Sequence, residues 1–550
     1  MQERKYGTLI HVAVILLSLM LCLSTAWTVF SEERRWDKDR SSKFHPDDDD
    51  HDDSATPAPP GNGGGFGGGS GQHAALSFRD YPGNCLSCHS DEAGEMLQST
   101  HYQWVGDAPD MVNGVGLKQG KLTNAVNSYC INILGDWPVC GSCHVGRGKR
   151  PDDVTANLEN IDCLVCHSTE YAAQRVRLPD GSMGASSPTD SMVQNVSAPT
   201  RADCLSCHAK AGGGDAVKRG DLSLATIDNA DPFFDVHMDS SGPDLACQRC
   251  HQFESHRVIG KGSDLRPTDD LSRGPEVSCL TCHQDKLTRD GHPSDKIHTH
   301  VARVACQSCH IPTYAKVATE THRDWRTHQN GTPADGVSGP GHPYTEKSAD
   351  LIPVYRFWNR LSDNALLGDD IRATYDSSNG AYATSRPEGS VDDIGSKLFP
   401  FKYKTGTQPK TASDNRLIAL DTFEYLKASG NVTTAIQKGL VNMGYPANTP
   451  YDWVVTDTYQ LLNHGIEPSS AALQCNDCHG GTARMDLQGD LGYRLKAATP
   501  SLCTQCHGRK KQMSFEKLHV KHVKDKKLDC SNCHDFSRPE RGLRMSYRGD

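Results

Sequence analysis

Cys140-Gly141-Ser142-Cys143-His144 opens the stretch around which this chain is organised, for between residues 140 and 310 the pattern Cys-x-x-Cys-His occurs six times. After Cys140, Cys143 and His144 come Cys163, Cys166 and His167, then Cys204, Cys207 and His208, then Cys247, Cys250 and His251. Cys279, Cys282 and His283, and Cys306, Cys309 and His310, complete the run. One copy precedes it at Cys85, Cys88 and His89. Three follow: Cys475, Cys478 and His479; Cys503, Cys506 and His507; and Cys530, Cys533 and His534.

Two thiols three positions apart can each add to one vinyl group of a haem, and the next residue then lies under the iron as an imidazole ligand. With 22 Cys and 26 His in 550 residues, chance would give on the order of 0.04 such matches. A zinc ribbon would not require a His directly after every second Cys. The sequence therefore predicts ten covalently bound haem c groups, with the motif histidines as iron ligands. Twenty of the 22 cysteines sit in the motifs, leaving Cys22 and Cys130, so no disulfide framework remains to be drawn.

The apolar fraction is 36%, low for a globular chain, and there are 50 glycines. Macrocycles would supply the missing apolar surface. The expected fold is mainly α with long irregular loops, the stacked haems forming its core. The net charge of −10 argues against a nucleic-acid partner.

Residues 1–30 contain a charge-free apolar run, Thr8 to Phe30, behind Arg4 and Lys5. It is long enough to cross a bilayer and reads as a membrane anchor or a signal peptide. The positive start places everything beyond it outside the cytoplasm, in the periplasm or outside the cell. Residues 31–80 read as a disordered tether, with Asp47–Asp50, Ala58-Pro59-Pro60 and a glycine-rich run at 63–69. His45, His51 and His73 within it read as solvated linker histidines. Residues 81–495 hold eight motifs and 496–550 the last two. Between His310 and Cys475 the gap contains Trp325, Tyr355, Phe357, Trp358 and Trp453 and a helical-looking run from Arg416 to Ser429; it reads as a lobe covering part of the haem array.

A low-spin haem takes a second axial ligand, normally His. Setting aside His11, the tether residues, and His322, His328 and His342 as solvated loop residues leaves nine: His101, His237, His256, His292, His298, His300, His464, His519 and His522. Nine distal histidines for ten irons would leave one iron different, and an odd iron is where catalysis would sit.

With these landmarks placed, the chain resembles the octahaem tetrathionate reductase family of multihaem cytochromes c, from about residue 85 to 493. The resemblance rests on Ser99-Thr-His101-Tyr-Gln-Trp104, Val126-Asn127-Ser-Tyr-Cys130-Ile, Asn160-Ile-Asp-Cys163, Gly212-Gly-Gly-Asp215-Ala-Val-Lys218-Arg-Gly-Asp221, Asp235-Val-His237-Met and Val304-Ala-Cys306-Gln-Ser-Cys309-His310-Ile-Pro. The last two motifs lie outside the family pattern and look like an added dihaem module. The resemblance implies that the second haem, on Cys140 and Cys143, is the active site, with Lys218 as an axial ligand and Asn127, Cys130 and Asp215 as neighbours. Arg147, Lys149 and Arg150 could draw an anion inward.

The expected function is that of a membrane-tethered, extracytoplasmic reductase that receives electrons from a quinol-linked donor or another cytochrome. It would deliver them to a small oxyanion such as tetrathionate, with nitrite or hydroxylamine as further acceptors. The alternatives are an electron conduit with every iron six-coordinate, and oxidation of hydroxylamine.

Overall fold

The computed structural model describes residues 71–113, 116, 118–135, 137–151, 157–260, 277–283, 292, 297, 300–336, 339–479, 484–497, 499–508, 514–526, 528 and 532–535. All of these fall in one unit, Phe66–Asp550. The expected anchor and most of the expected tether lie outside the described residues, as do His298 and Cys530. Among the described residues no helix is long and apolar enough to cross a membrane.

The described residues between 71 and 310, the region of crowded motifs, form short helices, three two-stranded sheets and loops. Helix α1 (Ser90–Gln98) carries Asp91 and Glu92 in its first turn, where the helix dipole favours carboxylates. Ser99 breaks it in extended conformation, and α2 (Thr100–Gln103) ends on Trp104 in the left-handed region at φ 50°. Helix α3 (Arg201–His208) starts at a capping box in which Thr200 and Asp203 satisfy each other's backbone N–H.

The core beside the first three motifs packs Tyr81, Tyr102, Val145, Ile161, Leu164, Val165, Tyr171 and Met192. Asp162 is buried at its centre and accepts from the Tyr81 hydroxyl (2.8 Å), the Tyr171 hydroxyl (3.0 Å) and Arg175 Nε (2.7 Å). The remaining Arg175 nitrogens donate to the carbonyls of Ser142, His144 and Gly146. A buried charge pair whose arginine spends both Nη nitrogens on backbone fixes the second motif's turn in place.

The long gap departs from the expected pattern of helices and loops. It folds as an eight-stranded mixed sheet, which corrects the expectation of a mainly α chain. Its strands are β1 (Thr319–His328), β2 (Pro343–Ser348), β3 (Val354–Trp358), β4 (Ser362–Asn364), β5 (Tyr375–Asp376), β6 (Ala381–Pro387), β7 (Lys397–Thr411) and β8 (Tyr451–Leu461). The sheet order is β4-β6-β8-β7-β1-β2, with β5 on β6 and β3 on β7. Antiparallel β7 and β8 form its spine, in register from Phe401 opposite Leu461 to Thr411 opposite Tyr451. Strand β1 runs parallel to β7 with His322 opposite Thr405 and Arg323 opposite Gly406.

The physical reason lies in the residues themselves. Phe399, Phe401 and Tyr403 alternate with Lys402 and Lys404, a period of two that suits a pleat and not a helix. The run from Arg416 is helical only over α4 (Thr422–Lys427), because Asp421 caps it by accepting from Glu424 N at 2.9 Å. Helix α5 (Val432–Asn442) follows behind the Asn431 cap.

The lobe's core contains Trp325, Leu417, Ile418, Leu420, Tyr425, Ile436 and Leu440, and it also takes in Val126 and Ile131 from the motif region. The segment 125–134 is thus inserted into the lobe. Gly406 makes room for it: a Cβ there would meet Ser128 O at 2.9 Å.

After the lobe come β9 (Arg494–Leu495), α6 (Thr499–Thr504), α7 (Phe515–His519) and β10 (His534–Asp535). Pairing of β9 with β10 returns the tail to the body at Arg494 opposite Asp535.

Candidate functional site

The motif histidines come to rest in two ways. Two imidazoles on opposite faces of a haem iron place their ring centres about 6 Å apart. The structure puts His89 6.4 Å from His73, His208 6.2 Å from His101, His283 6.1 Å from His237 and His251 6.1 Å from His464. It puts His479 5.9 Å from His300, His507 5.9 Å from His522 and His534 6.4 Å from His519. His256 lies close enough to His167, and His292 to His310, to disfavour protonation of the two motif rings, secondary to their burial.

Several of these rings are oriented through Nδ1, which leaves Nε2 toward the partner ring. His167 Nδ1 meets Ser197 O at 2.8 Å, His251 Nδ1 meets Ile259 O at 2.9 Å and His522 Nδ1 meets Leu518 O at 2.8 Å. His256 Nδ1 meets Glu95 at 2.9 Å and His464 Nδ1 meets buried Asp221 at 3.1 Å. The spacing and the held tautomers fit iron between the rings, with the adjacent motif cysteines for thioether attachment.

His73, expected in the tether, belongs with these pairs. The signal that could have found it is its place only twelve residues before Cys85; the glycine run just before it masked that. Conversely, His328 is no solvated loop residue: it ends β1, is buried, stacks on Tyr425 at 4.9 Å and bonds Gly430 O at 2.9 Å. His322 Nδ1 meets Thr405 Oγ1 at 2.8 Å and His342 Nδ1 meets Pro343 O at 2.8 Å.

His144 is the other case. It is 0% exposed and walled by Trp104 at 4.9 Å, Tyr102 at 5.1 Å and Trp137 at 5.3 Å. The left-handed cap at Trp104 is what turns that indole back onto the imidazole. Gly146 N donates to Nδ1 at 3.1 Å, which puts the proton on Nε2, and Nε2 donates to Tyr102 O at 2.5 Å. Burial holds the pKa down to about 4. Both ring nitrogens of the second motif's histidine are therefore engaged with protein.

The residues expected around that motif converge on Tyr129. Asn127 shapes the turn: its Oδ1 accepts from the N–H groups of Tyr129 (2.8 Å) and Cys130 (2.9 Å), and its Nδ2 donates to Ile131 O at 3.1 Å. This is an Asx turn closed at both ends. Lys218 Nζ lies 5.8 Å from the centre of the Tyr129 ring. Gly212, at φ 87°, permits that approach, since a Cβ would lie 3.1 Å from Lys218 Cβ and 3.2 Å from the Tyr129 ring. Asp215, in the same loop, spends Oδ1 on Leu224 N at 2.8 Å.

Sequence reading missed the sheet's contribution. Arg323 Nη1 lies 3.9 Å from Cys130 Sγ, while its other nitrogens hold Gly212 O at 2.8 Å and Glu320 in a two-pronged bond at 3.0 and 2.7 Å. Lys404 Nζ donates to Ser128 O at 2.6 Å, pairs with Glu320 at 3.2 Å and sits 4.2 Å from the Tyr129 ring centre. Burial lowers its pKa to about 8. Lys402 Nζ donates to Val217 O at 2.8 Å, Lys218 O at 3.1 Å and Thr319 Oγ1 at 2.6 Å, and burial holds its pKa well below the usual lysine value.

Two lysines of one strand thus pin the Cys130 turn and the Lys218 loop, and one carboxylate, Glu320, faces Arg323 and Lys404. The surplus of positive charge suits an anion.

Residues 321–482 match the family described as bacterial cytochrome c. An uncharacterised protein of Archaeoglobus fulgidus is 25% identical over 221 residues, which cover 31% of this chain and 73% of that protein. Among solved structures, the octahaem cytochrome c of Shewanella oneidensis is 28% identical with a TM-score of 0.63, covering 79% of this chain and 97% of that one. Taken with the repeated motifs and the paired imidazoles, these likenesses make the chain a multihaem c-type cytochrome that carries covalently attached haem c.

Proposed function

We propose that this cytochrome is an extracytoplasmic reductase of a small sulfur oxyanion, tetrathionate above all, with ten haems and its active centre at the second motif. Two separate observations support this: His144 is bonded to protein at both nitrogens, and Arg323 lies 3.9 Å from Cys130 Sγ. Lys218 is the proposed replacement ligand at that iron, an amine that coordinates once deprotonated. The apolar run Thr8–Phe30 is the proposed membrane tether, and a quinol-linked donor or another cytochrome the source of electrons.

Bound haems supply the electrons. The protein's part follows from the turn at Cys130. Arg323 and the neighbouring lysines attract the dianion and hold Cys130 as thiolate. The thiolate attacks one of the two central sulfurs, the central S–S bond breaks and one thiosulfate leaves, with the other half joined to Cys130 as a mixed disulfide. Two electrons then cleave that bond, which releases the second thiosulfate and returns the thiolate. No proton is consumed in the net change. Arg323 and Lys404 position the leaving thiosulfate's charge throughout.

Cys130→Ser should cut tetrathionate turnover by about 100-fold, while nitrite turnover changes less than threefold. Equal losses with both acceptors would make Cys130 a packing residue and remove the thiolate step. A conduit function is the second reading, favoured by the histidine pairs at 5.9–6.4 Å that meet seven motif histidines. It requires an external ligand on the tenth iron as well.

A further inference from the structure

Charge is divided unevenly along this chain. From Arg494 to Asp550 there are fourteen Lys and Arg against six Asp and Glu, net +8, whereas the whole chain is −10, so residues 1–493 carry −18. The basic segment holds two motifs, and it stays net positive even with both haems' propionates ionised.

The segment is joined to the acidic body at a defined place. β9 pairs with β10, Lys496 N donates to Cys533 O at 2.9 Å, and His534 Nδ1 meets Tyr493 O at 3.4 Å. His519 lies near His479, the motif histidine of the body's last motif. The tail's two ring pairs, His507 with His522 and His519 with His534, therefore continue from the last motif of the body. Around them Lys496, Lys517, Lys521 and Lys526 are exposed. The Lys521–Asp525 contact at 3.7 Å joins two exposed groups and is screened by salt, so it neutralises little.

We infer that this basic two-motif segment is the docking surface of an acidic electron-transfer protein, which exchanges electrons with the chain here and not through the acidic body. One electron passes per encounter between the partner's redox centre and a tail haem iron, with no bond made or broken. Two motifs and a dense run of lysines in the same short segment are what an encounter surface for such a partner needs, because a field of one sign orients the partner before the redox centres approach. The inference holds whether the chain is a reductase or a conduit, and its test leaves the Cys130 site untouched.

The test uses the full-length, haem-loaded protein, reduced and mixed in a stopped-flow instrument with one of two oxidised probes, an acidic plastocyanin or a basic mitochondrial cytochrome c. Wild type should reduce plastocyanin at a rate that falls about tenfold or more between low and high salt. In the variant Lys517→Glu/Lys521→Glu/Lys526→Glu the low-salt rate should drop by a similar factor, while the rate with basic cytochrome c rises or stays level. Unchanged plastocyanin rates in the variant would overturn the proposal. So would a variant that keeps those rates but loses binding to phosphatidylglycerol vesicles, since the surface would then face a membrane. Should the variant lose its haem spectrum, the salt response of wild type decides alone: parallel responses to the two probes overturn the inference, opposite ones support it.

Discussion

His208 and His144 close the same five-residue motif, yet they finish in opposite circumstances. His208 ends a capped helix and stands edge-on to His101 at 6.2 Å. His144 is packed under three aromatic rings and gives both nitrogens to the backbone. The chemistry of attachment is the same, so the difference lies in what surrounds the motif: Tyr102 and Trp104 reach His144 from α2, and Arg175 clamps the backbone on either side of it. On the proposed reading, the first motif would saturate its iron and the second would hold its imidazole away from it.

Removing each histidine tests that contrast with the largest expected effect. His208→Ala should abolish the low-spin signature of one haem, whereas His144→Ala should leave the number of low-spin haems unchanged, as counted by magnetic circular dichroism. Equal loss in the two variants would erase the distinction. A second test concerns the cationic wall beside Cys130. Arg323→Gln removes one of the two cationic partners of Glu320, whose side chain is 0% exposed, and should cost about 3 kcal/mol in unfolding free energy. Arg323→Lys, which keeps the charge but not the two-pronged geometry, should cost less. A loss under 1 kcal/mol for Arg323→Gln would show that the wall is not load-sharing in the folded state.

The smallest effect is one of pH. Lys404 has its pKa lowered by burial to about 8, against about 10.4 for a free lysine. It is charged below that value and neutral above it, so the KM for an anionic acceptor should rise a few-fold between pH 7 and 9. The same depression means that the folded chain disfavours the charged amine, and this group adds stability as pH climbs from about 8 toward 10.4. Lys404→Gln should flatten the KM profile; an unchanged profile would detach Lys404 from substrate charge.

The contrast between the two motifs was only half legible. The cofactor could be read directly, because thioether attachment needs Cys-x-x-Cys-His in contiguous sequence. Lys218, Asn127 and Cys130 came from resemblance, and the structure gathers them around Tyr129. Glu320, Arg323, Lys402 and Lys404 were invisible, since charged residues in a strand read as a solvated face. Only the pairing of β7 with β1 and the insertion of Ser128 over Gly406 bury them. The sheet was missed for a related reason. Pro400 and Pro409 interrupt the strand signal of β7, and the partner that stabilises it, β8, lies some fifty residues on.

A ligand titration of the oxidised and reduced full-length protein, followed by electron paramagnetic resonance, tests the central claim most directly. With tetrathionate or nitrite added, the account predicts that the spectrum of one haem shifts, that the others hold, and that Lys218→Ala changes that same haem. If every iron stays low-spin and indifferent to both anions, the chain carries electrons without an open centre and the reductase assignment is contradicted.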